Sequence, residues 1–171
     1  MSKTAAPLLA LVGLMLLSMP MSAQILPRGN VYAGVSYGRL TDVIPPRQSY
    51  RGFEGSAEDL PFARLPHLGF VLDGNGYYRS GVTEYNALLG PRLSATYGKW
   101  RPFVHAMGGY QRLKSNGNVF THIVIDFGGG ADYRLWFKNF SWRLQGDYMH
   151  THYLSSYQND YRASTGLVWR F

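Results

Sequence analysis

Residues 161–171 read as one β-strand ending on an aromatic residue. Counting back in twos from Phe171 gives Trp169, Leu167, Thr165, Ala163 and Tyr161 on one face. The other face carries Arg170, Val168, Gly166, Ser164 and Arg162. Successive side chains of a strand point to opposite faces. The segment therefore has one apolar side with aromatics at both ends, and one small, polar side. A strand in a soluble core is apolar through its middle and does not favour aromatics at both rims. The pattern fits a strand whose apolar side meets hydrocarbon and whose aromatic residues lie at the two interfaces. A sheet of such strands must close on itself, because hydrocarbon offers no partner to an open edge.

The start of the chain points to export. Lys3 precedes an apolar run over residues 5–17, followed by Ser18-Met-Pro-Met-Ser-Ala23. This pattern predicts a secretory signal peptide over residues 1–23, cleaved after Ala23, and one barrel domain over 24–171. The run is too short to cross a bilayer as a helix, and no later stretch is long and apolar enough. With no cysteine, a disulfide framework, a thiolate metal site and a lipid-modified N-terminal Cys are all excluded. Tyr 13, Phe 9, Trp 4 and Gly 20 are high counts that favour strands and aromatic rims. The net charge is +7, but the basic residues are scattered and form no run. An exported chain of this kind does not read as a nucleic-acid binder.

Alternation and turn signals divide the rest into eight strands: about 30–40, 50–60, 67–78, 84–97, 101–113, 119–136, 140–153 and 161–171. Adjacent prolines mark 41–48 as a loop, and Pro61 and Pro66 bracket another turn. Asn116-Gly117 signals a hairpin between the fifth and sixth strands. Pro91 falls inside the fourth strand and calls for a bulge or a local break. An even strand count puts both termini on one side. The fold class is an all-β, eight-stranded, antiparallel up-and-down transmembrane barrel.

Two aromatic belts are expected. Trp100, Trp136, Trp142 and Trp169 lie at strand ends on the side of the termini, together with Phe171. Tyr37, Tyr50, Tyr77, Tyr78, Tyr85, Tyr110, Tyr153, Tyr157 and Tyr161 lie near the opposite rim. Period two points Glu54, Glu58, Asp73, Glu84, Arg92, Asp126, Asp132, Arg134, Arg143, Asp147, Arg162 and Arg170 into the lumen. Eight strands leave only enough width for side chains, so these charges should pair and fill the interior. His105 reads as a packing residue of the lumen, Gly128-Gly-Gly130 as a place of close packing or curvature, and no cofactor or metal site stands out. His150, His152, Ser155 and Ser156 cluster near the far rim and read as polar residues meeting headgroups.

The chain resembles the small bacterial outer-membrane barrels of the OmpA/OmpX-like transmembrane-domain type. The resemblance is carried by Leu88-Leu-Gly-Pro-Arg-Leu-Ser94, Arg101-Pro-Phe-Val-His-Ala-Met107, Gly128-Gly-Gly-Ala-Asp132, Gln145-Gly-Asp-Tyr148 and Gln158-Asn-Asp-Tyr-Arg-Ala-Ser-Thr-Gly166. It implies a place in the outer membrane of a Gram-negative bacterium, surrounded by lipid and lipopolysaccharide, and implies little about activity; a monomer without enzymatic activity is expected. It implies delivery by periplasmic chaperones and the barrel-assembly machinery, with Phe171 as the assembly signal. The expected role is structural or surface interaction around a closed, salt-bridged lumen, not passage of large solutes. Two alternatives stand beside it. One is a lipid A deacylase-like acyl hydrolase with a His/Ser rim site, although the order His-Thr-His-Tyr-Leu-Ser-Ser lacks that family's tight His-x-Ser spacing. The other is a soluble exported lipocalin-like barrel, which would need an apolar interior and a polar exterior.

Overall fold

The computed structural model describes residues 28–40, 48–60, 67–79, 82–115, 118–153 and 156–171. The expected signal peptide lies outside them. Eight strands follow one another: β1 (Gly29–Leu40), β2 (Gln48–Asp59), β3 (Leu68–Arg79), β4 (Val82–Ser94), β5 (Trp100–Ser115), β6 (Asn118–Arg134), β7 (Phe140–Tyr153) and β8 (Ser156–Arg170). They form one closed barrel in which every strand is antiparallel to its neighbours. β1 pairs with β8 from Asn30↔Arg170 to Arg39↔Tyr161, so no edge is left open. Both ends of the barrel-forming chain lie on one side, here called the termini end.

The outward face of each strand is apolar. Val35, Phe53, Leu72, Leu89, Val104, Ile123, Leu144 and Leu167, one from each strand in order, are all more than half exposed or close to it. The inward residues between them are buried, as the alternation Glu84, Asn86, Leu88, Gly90, Arg92, Ser94 along β4 shows. A soluble ligand-binding barrel has the opposite polarity.

Several bounds differ from the sequence reading. β4 ends at Ser94 rather than residue 97, because Tyr97 and Trp100 pair across a two-residue turn, Gly98-Lys99. Gly98 has φ 60°, the left-handed conformation that such tight hairpins demand at their first turn position. β6 stops at Arg134 rather than 136. β8 begins at Ser156 rather than 161, since its ladder with β7 runs on to Tyr153↔Ser156. The polar Gln158, Asn159 and Asp160 resemble a loop in sequence, yet they pair with β7.

Pro91 interrupts hydrogen bonding without adding a residue. It pairs with Phe70 on the β3 side. On the β5 side, Leu89 pairs with Gly108 and Arg92 with His105, while Gly90 and Pro91 drop out of the ladder. Two residues are skipped on each strand, so the register is kept and there is a break rather than a bulge. Proline has no N–H to give, which confines the loss to this point.

The lumen also holds an apolar layer. Val71, Leu88, Met107, Val124 and Met149 pack with Tyr50 and Tyr77. This corrects the aromatic belt: Tyr50 and Tyr77 are 1% and 0% exposed and point inward. Tyr37, Tyr78, Tyr85, Tyr110 and Tyr161 are exposed on the outward face, whereas the side chains of Tyr153 and Tyr157 lie outside the described set.

Candidate functional site

The interior polar residues fall into two networks. The first lies toward the termini end. Arg143 grips Asp132 with both Nε (2.7 Å to Oδ1) and Nη2 (3.1 Å to Oδ2). This bidentate fit is the strongest geometry available to an arginine–carboxylate pair. Arg170 adds a bond from Nη2 to Asp132 Oδ2 at 2.8 Å. Glu58 accepts from Asn30 and from Arg92 Nη1, the latter at 3.2 Å, and lies 3.6 Å from Arg101 Nη2. Arg101 also donates to Ser94 Oγ. The guanidinium groups of Arg92 and Arg143 lie 3.6 and 4.8 Å from the ring centre of Phe103, whose π face offsets some of their mutual repulsion.

The second network centres on Arg162. Four carboxylates surround its guanidinium: Asp147 at 2.7 Å, Asp126 at 3.1 Å, Asp73 at 3.3 Å and Glu54 at 3.7 Å. Gln145 donates to both Glu54 and Asp147. Asn75 donates to Asp73, and Asn86 donates to Asn75 and to Glu84. His105 approaches from β5, with Nε2 3.0 Å from Asp147 Oδ1 and 3.7 Å from Asp126 Oδ1. Register explains the grouping. One rung across the wall runs Arg92, His105, Gly128, Asp147, Arg162. Asp147 and Arg162 meet because they stand directly beside one another on neighbouring strands, and His105 reaches Asp147 across the glycine between them.

Glu54, Glu58, Asp73, Glu84, Arg92, Asp126, Asp132, Arg143, Asp147 and Arg162 are buried inside the barrel. Arg170 is partly exposed at the mouth. Arg134 corrects the lumen reading. It has the inward parity but is exposed at the end of β6, with Nη2 3.4 Å from the Gly98 carbonyl. Period two assigns a face, not a depth.

Sequence spacing did not single out the set that His105 forms with Asp126 and Asp147, whose ligating atoms all lie within 4.8 Å of one another. The three sit on three different strands, so only the register brings them together. Among the described residues, no serine or threonine hydroxyl of the two networks shares a hydrogen bond with a histidine ring, since His67 Nδ1 reaches the carbonyl of Ser94 and not its hydroxyl. At the far rim, His150 shares a 2.7 Å hydrogen bond with Asn159 Oδ1. The side chains of His152 and Ser156, and residues 154–155, lie outside the described set, so the His/Ser alternative is not assembled from described atoms.

The aromatic residues at the termini end are all exposed: Trp100, Trp142, Trp169 and Phe171, and Trp136 at 93%. Phe171 packs on Trp169, with ring centres 5.3 Å apart. Its backbone exchanges two hydrogen bonds with Gly29, at 3.3 and 3.4 Å. The last residue is thus tied to the first residue of β1.

No family model and no curated protein matches the chain. Solved structures do. Neisserial surface protein A is 14% identical with a TM-score of 0.69, over 84% of this chain and 97% of that one. The N-terminal β-barrel domain of Pseudomonas aeruginosa OprF is 16% identical with a TM-score of 0.61, over 85% and 100%. The attachment invasion locus protein Ail of Yersinia pestis is 14% identical with a TM-score of 0.56, over 86% and 100%. At these identities the likeness is one of fold: the chain has the architecture of small bacterial outer-membrane eight-stranded barrels.

Proposed function

We propose that this chain is an outer-membrane β-barrel protein of a Gram-negative bacterium, with a structural or surface-interaction role and a lumen closed to large solutes. One observation carries the reading: the outward face is apolar on all eight strands, while buried ion pairs fill the interior. In water that exterior would be an aggregation surface. In hydrocarbon it is the solvated face, and closure of the ladder satisfies the backbone. The termini end, with its tryptophans and Phe171, would face the periplasm, and the longer strands β5 and β6 would carry their hairpin outside the cell.

Arg92, Arg143 and Arg162 project into the interior and are held by carboxylates from other strands, those of Arg162 reaching from β2, β3, β6 and β7. Moving a solute through would require breaking these pairs in a desolvated space, which is costly. The test is fractionation with gel mobility before and after heating, followed by liposome swelling in sugars. The expected result is a heat-modifiable band in the outer membrane and no swelling above that of empty liposomes. A band confined to the periplasm overturns the location, and swelling overturns the closed lumen. Lipid A of unchanged mass in cells with and without the protein would be the expected result for a non-enzyme.

A further inference from the structure

We infer that the lumen contains a divalent transition-metal site, formed by His105 Nε2, Asp126 Oδ1 and Asp147 Oδ1. The first observation is the division of labour within the two carboxylates. Arg162 takes Oδ2 of Asp147 and Oδ2 of Asp126. The Oδ1 atom of each is buried and accepts no hydrogen bond. Both Oδ1 atoms turn toward His105, whose side chain is 1% exposed. An orienting partner on the outer oxygen is the usual support of a ligating carboxylate.

The second observation is the imidazole itself. Neither ring nitrogen of His105 makes a well-aligned hydrogen bond, although Nε2 stands 3.0 Å from one carboxylate oxygen and 3.7 Å from another. A protonated ring serving only as a counter-charge would aim its N–H at one of these oxygens. Here Nε2 makes no aligned hydrogen bond to either, and so keeps a position for a third centre. Metal–ligand distances near 2.0–2.2 Å put tetrahedral ligand atoms about 3.3–3.6 Å apart, and the two separations from Nε2 bracket that range.

The third observation is Gly128. It stands on the rung between His105 and Asp147. A Cβ built there would collide with Asp147 Oδ1 and with His105 Nε2. Glycine at this inward position lets the His105 ring and the Asp147 carboxylate come together over the backbone.

Charge points the same way. One guanidinium is ringed by four carboxylates, and His105 is the further group beside two of them, so a cation held there would add positive charge where carboxylates outnumber it. A neutral imidazole with two carboxylates suits Zn²⁺, Co²⁺ or Mn²⁺ better than Ca²⁺, which prefers six or more oxygens. Three protein ligands leave one position for water. Because the ligands are sealed from solvent, the ion would enter as the barrel forms.

The test refolds the full chain from urea into detergent micelles with Co²⁺ present, then removes unbound metal. The expected result is about one Co²⁺ per folded barrel, visible ligand-field bands, and their loss on adding Zn²⁺ during refolding. In His105→Gln and Gly128→Ala barrels that pass the heat-modifiability check, apparent affinity should fall by at least about tenfold. Absence of the bands in the wild type overturns the site. So do bands undiminished in folded His105→Gln, which would place the metal on other histidines. Should both variants fail to fold, ¹⁵N-histidine labelling of the wild type gives the answer. A Zn²⁺-induced shift of one solvent-shielded imidazole supports the site, and a shielded imidazole that does not respond overturns it.

Discussion

At the scale of the residue, Arg162 and Arg134 mark the buried centre of the lumen and its exposed rim. It is fully enclosed and touches four carboxylates from four strands. Arg162→Ala leaves those charges unpaired and should cost about 3–5 kcal/mol, read as a lower urea midpoint in micelles. Arg134→Ala should stay within about 0.5 kcal/mol by the same measurement, because that side chain is exposed at the rim. Both residues carry inward parity in the sequence. What parity lacks is distance from the mouth, and this is why Arg134 could not be told from Arg143 by counting alone. Tyr50 and Tyr77 err in the other direction. Each shares its face with an acidic residue, Glu54 and Asp73, so their inward placement was readable, but proximity to the rim suggested a belt instead.

At the scale of the element, alternation within a strand was legible and contact between strands was not. β8 shows this best. Leu167 and Trp169 stand out from the wall while Arg162 and Ser164 stand in, as period two requires. Leu167→Arg should therefore cost roughly 2–4 kcal/mol if the residue lies near the middle of the apolar band. The measurement is the folded fraction after refolding into lipid vesicles, and an unchanged fraction would reverse the face assignment. Strand ends were less legible, because the hydrogen-bond ladder is set by the neighbour. Gln158 and Asp160 look like loop residues until β7 is placed beside them. The same blindness hid the meeting of His105, Asp126 and Asp147, which belong to β5, β6 and β7 and have no telling spacing along the chain.

At the scale of the whole molecule, closure dominates. Phe171 is joined to Gly29 by two backbone hydrogen bonds, and its ring lies against Trp169. Deleting Phe171 removes that last pairing and one anchor of the rim. Less of the variant than of the full-length protein should reach the outer membrane folded, as read by heat-modifiable mobility. Equal folded fractions would show that the residue is dispensable for assembly. The pairing of Asn30 with Arg170 has a further meaning in time. A ribosome makes β1 first and β8 last, and the seam joins those two. A chain that stops before β8 cannot close the structure, whatever its length, so a transcript broken ahead of that strand yields a sheet with two raw edges rather than a slightly smaller barrel.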